Sequence, residues 1–161
     1  MFINSDFSEL LRIFNDSGVR YLVIGGYAVI QHSEPRFTKD LDIWIATDLD
    51  NAKAVYKALK AFGAPLENLT ERDFSEEGYF YQMGNPPVRV DVMMGVPGVK
   101  FEDAWIRQVE FTFGELQVRF ISKADLITAK LASARPQDLM DVENLGGVIK
   151  RKKVISKRKQ K

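Results

Sequence analysis

Along this chain the apolar residues change their period again and again, and that switching constrains the fold more than any other feature. Phe7, Leu10, Leu11 and Phe14 recur at helical spacing behind Asp6 and Glu9, a pair that resembles a helix cap, until Gly18 ends the pattern. Arg20 to Ile24 then reads as a strand, Gly25-Gly26 as a tight turn and Tyr27 to Gln31 as a short helix. Residues 39 to 46 alternate cleanly as a second strand. Asp50 to Phe62 carries Ala54, Val55, Ala58, Leu59 and Phe62 on one helical stripe closed by Gly63.

Residues 64 to 77 are polar and irregular. Tyr79 to Met83 and Val88 to Met94 follow as an expected antiparallel pair around Gly84-Asn85-Pro86-Pro87. A short helix over Phe101 to Gln108 precedes Val109 to Phe113 and Leu116 to Ile121, which Gly114-Glu115 joins as a hairpin. Two C-terminal helices close the pattern, one capped by Ser122 with Asp125 three residues on, the other opened by Pro136 in its first turn. Strands and helices interleaved in this way predict an α/β fold of α+β type, a mixed sheet flanked by helices. No internal repeat is present.

A length of 161 residues suits one domain, and 45% hydrophobic against 28% charged residues is enough apolar material for a real core. The formal net charge of +1 conceals a division. Eight basic residues and no acid stand in 150–161, leaving 15 basic against 22 acidic residues in 1–149. The expectation is an acidic domain over 1–149 with a basic, disordered tail that could attract RNA by counterion release. With no cysteine, disulfides, thiol catalysis and cysteine-type zinc sites are excluded, and any metal must be held by oxygen or by the lone His32. The longest nearly apolar run, Tyr21 to Ile30, is far short of the ~20 residues of a spanning helix. The expected setting is cytoplasmic, without a membrane.

Chemistry concentrates in the second strand. Asp40 and Asp42 are two apart, so both carboxylates emerge on one face while Leu41, Ile43 and Ile45 take the other. Paired carboxylates on a half-buried strand repel each other and lose hydration unless a cation neutralises them, and magnesium, a hard ion that prefers carboxylate oxygen, is the natural one. The spacing is equally met by two surface acids. Asp91 follows the same parity in Val88 to Met93, where Arg89, Asp91 and Met93 share a face. If that strand neighbours the first, three carboxylates form a site of the kind used for displacement at phosphorus; otherwise Asp91 pairs with a nearby Lys or Arg. Gly25-Gly26 before a helix lets the backbone approach a phosphate at the positive end of the helix. Neither a Gly-x-x-x-x-Gly-Lys-Ser/Thr loop nor a Gly-x-Gly-x-x-Gly fingerprint occurs.

A strand, Gly25-Gly26, a 13-residue gap containing Arg36-Phe37-Thr38-Lys39, then Asp40-Leu41-Asp42-Ile43 and a later Asp91 resembles the polymerase-β-like nucleotidyltransferase fold. The Arg36-x-Thr38 step and the run from Lys130 to Val142, with Arg135-Pro136-Gln137-Asp138 and Asp141, resemble the small bacterial nucleotidyltransferases of the AbiEii abortive-infection toxin type. The resemblance covers about residues 18–46, 88–94 and 122–145. It implies that Asp40, Asp42 and Asp91 hold magnesium, that Gly25 and Gly26 cradle the phosphates of an NTP, and that Asp91 can take the proton of an attacking hydroxyl. It also implies an active-site role for Lys130 and for an acid matching Asp138 or Asp141.

Lys130 stands out on its own account. It falls four after Leu126 and three after Ile127, which turns an ammonium toward the core. A triphosphate or an acid would partner it, or the stem could snorkel. Asp138 is equally a first-turn acid favouring the helix dipole. Arg36 and Thr38 could contact phosphate or lie on a loop surface. His32, Trp105 and Tyr79-Phe80-Tyr81 read as structural, core or sheet residues. The expected activity is magnesium-dependent transfer of a nucleoside monophosphate from NTP to a hydroxyl of RNA, tRNA, protein or a small molecule, and the resemblance to the AbiEii type adds the expectation of a toxin with an antitoxin-like partner. A catalytically silent nucleotide- or RNA-binding module is the alternative, and a metal-dependent nuclease a third, disfavoured because Met93 stands where a nuclease places lysine.

Overall fold

A computed structural model describes residues 4–33, 38, 40–85 and 88–148. The elements in order are α1 (Ser5–Asp16), β1 (Tyr21–Ile24), α2 (Gly25–His32), β2 (Asp40–Ile45), α3 (Leu49–Phe62), a 3-10 helix (Glu71–Ser75), β3 (Phe80–Met83), β4 (Arg89–Met93), α4 (Phe101–Ile106), β5 (Val109–Phe113), β6 (Leu116–Phe120), α5 (Lys123–Ser133) and α6 (Pro136–Asn144). They build the mixed α/β architecture that the alternating periods imply.

The strands form one sheet in the order β3-β4-β2-β1-β6-β5. β1 runs antiparallel to β2 and parallel to β6, β2 runs parallel to β4, and the outer pairs β3-β4 and β5-β6 are antiparallel. β2 and β1 are therefore central, which explains why Leu22, Ile43, Trp44 and Ile45 are almost wholly buried. The β2-β4 register places Asp40 beside Arg89, Asp42 beside Asp91 and Trp44 beside Met93.

Several helix ends are set differently from the sequence expectation. Asn4, not Asp6, caps α1: its Oδ1 accepts from the Asp6 N–H at 2.8 Å, because the side chain just before the first turn is the one that reaches its free donors. Asp48 does the same for α3, accepting from Asn51 N–H at 3.1 Å, so that helix starts at Leu49. The stretch 64–77 is not wholly irregular, since Thr70 and Asp73 bond reciprocally and start the 3-10 helix that buries Phe74. Gly25-Gly26 is not a separate turn but the first residues of α2. Tyr79 (64% exposed) lies just outside β3 and belongs to neither core nor sheet, while Phe80 (58% exposed) is the first residue of β3, a sheet residue as expected though not a core one. The basic stretch 150–161 lies outside the described residues.

No helix among the described residues is long and apolar enough to cross a membrane.

Candidate active site

A cavity of about 300 Å³ opens where the N-terminal half of β2 meets β4, the start of α2 and the α5-α6 pair. Asp40, Asp42, Arg89 and Asp91 come from the two strands, Gly25 from α2, Lys130 from α5, Arg135 from the junction that caps α6, and Asp138 from α6. The parallel pairing of β2 with β4 gives both strands the same side-chain parity, so all three predicted acids share one wall. Leu41 and Ile43, of opposite parity, are core.

Gly25 is the position where glycine is required. Its φ is +68°, and a Cβ built there would fall inside the Asp42 carboxylate. Ile24, the residue before it, pairs with Asp42 across β1 and β2, so the glycine admits that carboxylate against the first turn of α2. Gly26 is buried within α2 and is not part of the cavity wall. Thr38 donates its hydroxyl to the Asp40 carbonyl at 3.4 Å rather than facing the cavity. Arg36 lies outside the described residues.

The acids differ in their surroundings. Burial, reinforced by Asp91 and Asp40, pushes the Asp42 carboxyl up to about 7, and a hydrogen bond joins it to Asp91. Lys130 acts in the opposite sense on Asp42. Asp91 accepts from Gln82 Nε2 at 2.9 Å and from Arg89 Nη2 at 3.4 Å. The same Arg89 nitrogen lies 2.8 Å from Asp40 Oδ2. Asp40 Oδ1 and Arg89 Nε are both buried without a hydrogen-bond partner among the described residues.

Lys130, buried as its helical phase implies, joins α5 to α6. Its Nζ lies 2.9 Å from Asp141 Oδ2 and 3.3 Å from Asp138 Oδ1. The helices are joined through Ala134 at φ +52°, a conformation costly for a residue with a Cβ and sustained by what surrounds it. Burial alone would raise the Asp138 carboxyl, yet the Arg135 hydrogen bond and the Lys130 charge hold it below the ordinary range. Asp138 is thus both a first-turn acid of α6, accepting from Arg135 N–H at 3.2 Å, and a partner of Lys130. His32 is structural, its Nε2 set 2.7 Å from the Ile121 carbonyl.

The donor set suits a hard divalent cation. Asp40, Asp42, Asp91, Asp138 and Asp141 face Arg89, Lys130 and Arg135, five carboxylates against three cations. The buried Asp40 Oδ1, without a hydrogen-bond partner among the described residues, and the burial and neighbouring acids that push Asp42 up, fit carboxylates that a cation would neutralise. As arranged, however, no three acids among the described residues stand as a ready set of metal ligands, and Arg89 contacts both Asp40 and Asp91.

Gln82, Arg89 and Arg135 escape a reading of sequence alone. Parity puts Arg89 on the Asp91 face, so that signal was present. Gln82 depends on the β3-β4 register, which pairs it with Asp91, and Arg135 on the fold-back at Ala134.

The sequence profile described as "Nucleotidyltransferase of unknown function (DUF6036)" matches residues 3–154. No curated protein matches the sequence. Among solved structures, the lincomycin-bound lincosamide antibiotic adenylyltransferase LnuA aligns with a TM-score of 0.58 at 15% identity, over 91% of this chain and 98% of that one. An antigenic nucleotidyltransferase-like protein from Paracoccidioides brasiliensis aligns with a TM-score of 0.54 at 17% identity, over 86% of this chain and 72% of the other. At these identities the likeness is one of fold.

Proposed function

The chain belongs to the DUF6036 family of nucleotidyltransferases, and from that premise we propose that it transfers a nucleoside monophosphate from a magnesium-bound NTP to an acceptor hydroxyl at the cavity walled by Asp40, Asp42 and Asp91. The observation that carries this reading is the β2-β4 register, which sets Asp42 beside Asp91 and puts all three acids on one cavity wall. Magnesium, when bound to those carboxylates, would offset the charge of the triphosphate and polarise its α-phosphate.

The chain's own groups have separable tasks. Free N–H groups at the start of α2, which Gly25 brings close to Asp42, face incoming phosphate oxygens at the positive end of the helix. Lys130 and Arg135 supply positive charge on the opposite wall. Asp91, oriented by Gln82, takes the proton as the acceptor oxygen bonds to the α-phosphorus and the bond to the bridging oxygen breaks, releasing pyrophosphate. Alignment and electrostatics supply most of the acceleration in this class of chemistry.

The acceptor is the finer part of the proposal. LnuA is an adenylyltransferase solved with a small molecule, and the present chain spans nearly its full length, which favours a small hydroxylated acceptor. The eight basic residues of 150–161 favour RNA instead. The run from Lys130 to Val142 supports the AbiEii-type reading, and with it an antitoxin-like partner and a cytoplasmic setting where NTP is at hand. Binding without turnover on the same fold is the reading that Arg89's seat among the acids favours.

Isothermal titration of each NTP analogue, uncleavable between its α and β phosphates, with magnesium tests the site. The expected result is metal-dependent binding that Asp40→Asn with Asp42→Asn removes from a folded protein. No binding of any NTP to the native chain would overturn the proposal.

A further inference from the structure

Arg89 occupies an unusual seat. It stands on β4 beside Asp40 in the strand register and two residues before Asp91, so its side chain emerges on the acidic wall. One nitrogen, Nη2, makes both contacts, 2.8 Å to Asp40 Oδ2 and 3.4 Å to Asp91 Oδ2. A guanidinium bound through its fork would use two nitrogens on two oxygens. Here Nε is buried and has no hydrogen-bond partner among the described residues, and the same is true of Asp40 Oδ1. An unpaired donor and an unpaired acceptor on two residues that already touch mark a contact that neutralises charge without satisfying its partners.

The position matters as much as the geometry. Arg89 bridges two of the three carboxylates that would hold a divalent ion, while the third, Asp42, is hydrogen-bonded to Asp91. A metal and this guanidinium cannot both lie between Asp40 and Asp91. The Arg89 side chain is about a third exposed and lines the cavity, so it has an open direction in which to move.

Resting on the nucleotidyl-transfer reading of the site, we propose that Arg89 is a built-in counter-ion that holds the carboxylates together in the absence of metal, yields its place to the divalent ion, and takes a phosphate oxygen of the NTP as its new partner. Metal alone must then displace a favourable charge pair, whereas metal with nucleotide gives the guanidinium somewhere to go. Divalent ion and NTP therefore bind with positive coupling, and each raises the affinity for the other by the same factor. In this role Arg89 is a positioning residue that sets the order and cooperativity of loading.

The test is Mn²⁺ binding, followed by electron paramagnetic resonance of the free ion, to the full chain and to Arg89→Gln and Arg89→Lys. Each is measured alone and with an ATP analogue uncleavable between its α and β phosphates. The native protein is expected to bind Mn²⁺ at least 5-fold more tightly with the analogue than without it, a coupling of ordinary size for linked sites. Arg89→Gln should bind Mn²⁺ alone more tightly than the native chain, bind the analogue more weakly, and lose most of the coupling. Arg89→Lys, which keeps the charge, should keep the competition with metal, and it remains informative if the glutamine variant does not fold. Equal Mn²⁺ affinity without nucleotide in the native chain and in Arg89→Gln would overturn the counter-ion role while leaving the site intact, and so, where the glutamine variant does not fold, would a native Mn²⁺ affinity that the analogue leaves unchanged. Absence of Mn²⁺ binding to any of them, with or without analogue, would overturn the site and the counter-ion together.

Discussion

Asp42 and Asp91 stand side by side across parallel strands β2 and β4, and their carboxyl groups share a hydrogen bond. That contact needs a proton, and burial supplies the reason one is kept. The Asp42 carboxyl titrates at about 7 in the fold against an ordinary 3.8. Between those values the folded protein holds a proton that the unfolded chain has released. Stability from this group is thus complete below 3.8 and is lost as pH rises through about 7. Thermal melts without divalent ions should show Asp42→Asn, which cannot ionise, gaining on the native protein from pH 4 to 7 and then running level. A pH-independent difference would contradict the assignment.

Gly25 and Gly18 share φ +68°, but only Gly25 abuts another side chain. Gly18→Ala should cost about 1–2 kcal/mol, the backbone penalty of the left-handed region. Gly25→Ala should cost clearly more, since the new methyl must displace the Asp42 carboxylate, and it should also impair nucleotide binding. Urea denaturation of both variants checks this; equal losses would mean that Asp42 relaxes away freely.

Lys130 bridges two buried acids, so removing it leaves charge uncompensated. Lys130→Met is expected to destabilise the fold by about 3 kcal/mol, the order found when one partner of a buried ion pair is removed. Adding Asp141→Asn should recover part of that loss. A double variant as unstable as the sum of the singles would show that the ion pair is not what joins α5 to α6.

How much of this was legible beforehand follows from which interactions are local. Face parity in β2 is a local property, so Asp40 and Asp42 could be assigned to one side and Leu41 and Ile43 to the other from alternation alone. The inward turn of Lys130 is likewise fixed by helical phase. Its partners are less so: Asp138 and Asp141 reach it because the chain reverses at Ala134, a non-glycine residue in the left-handed region that no propensity announces. That β4 rather than another strand lies beside β2 depends on non-local pairing, and with it the encounter of Asp42 with Asp91. Arg89 illustrates the remainder. Its face was readable, but its place between Asp40 and Asp91 comes from competition among charges, which no spacing encodes. Asn4 displacing Asp6 as the α1 cap was a shift of two residues, decided by which oxygen reaches the first free N–H.

The basic stretch offers a separate test of the acceptor. A chain ending before Lys150 loses eight cations, so if RNA is the acceptor its affinity should fall and lose much of its salt dependence in filter binding. Unchanged RNA affinity would exclude a role for that stretch in acceptor capture and leave the small-molecule reading ahead.

The central claim is that the Asp40, Asp42 and Asp91 cavity performs nucleotidyl transfer, and the direct measurement follows the α-phosphate. Each α-labelled NTP is incubated with magnesium, the protein and pooled RNA, tRNA and hydroxylated small molecules. The expected result is label in one acceptor pool with equimolar pyrophosphate, reduced at least 100-fold by Asp40→Asn with Asp42→Asn, a loss of the order seen when transition-state electrostatics are removed. Transfer undiminished in that variant, or no transfer to any pool by the native protein, would contradict it.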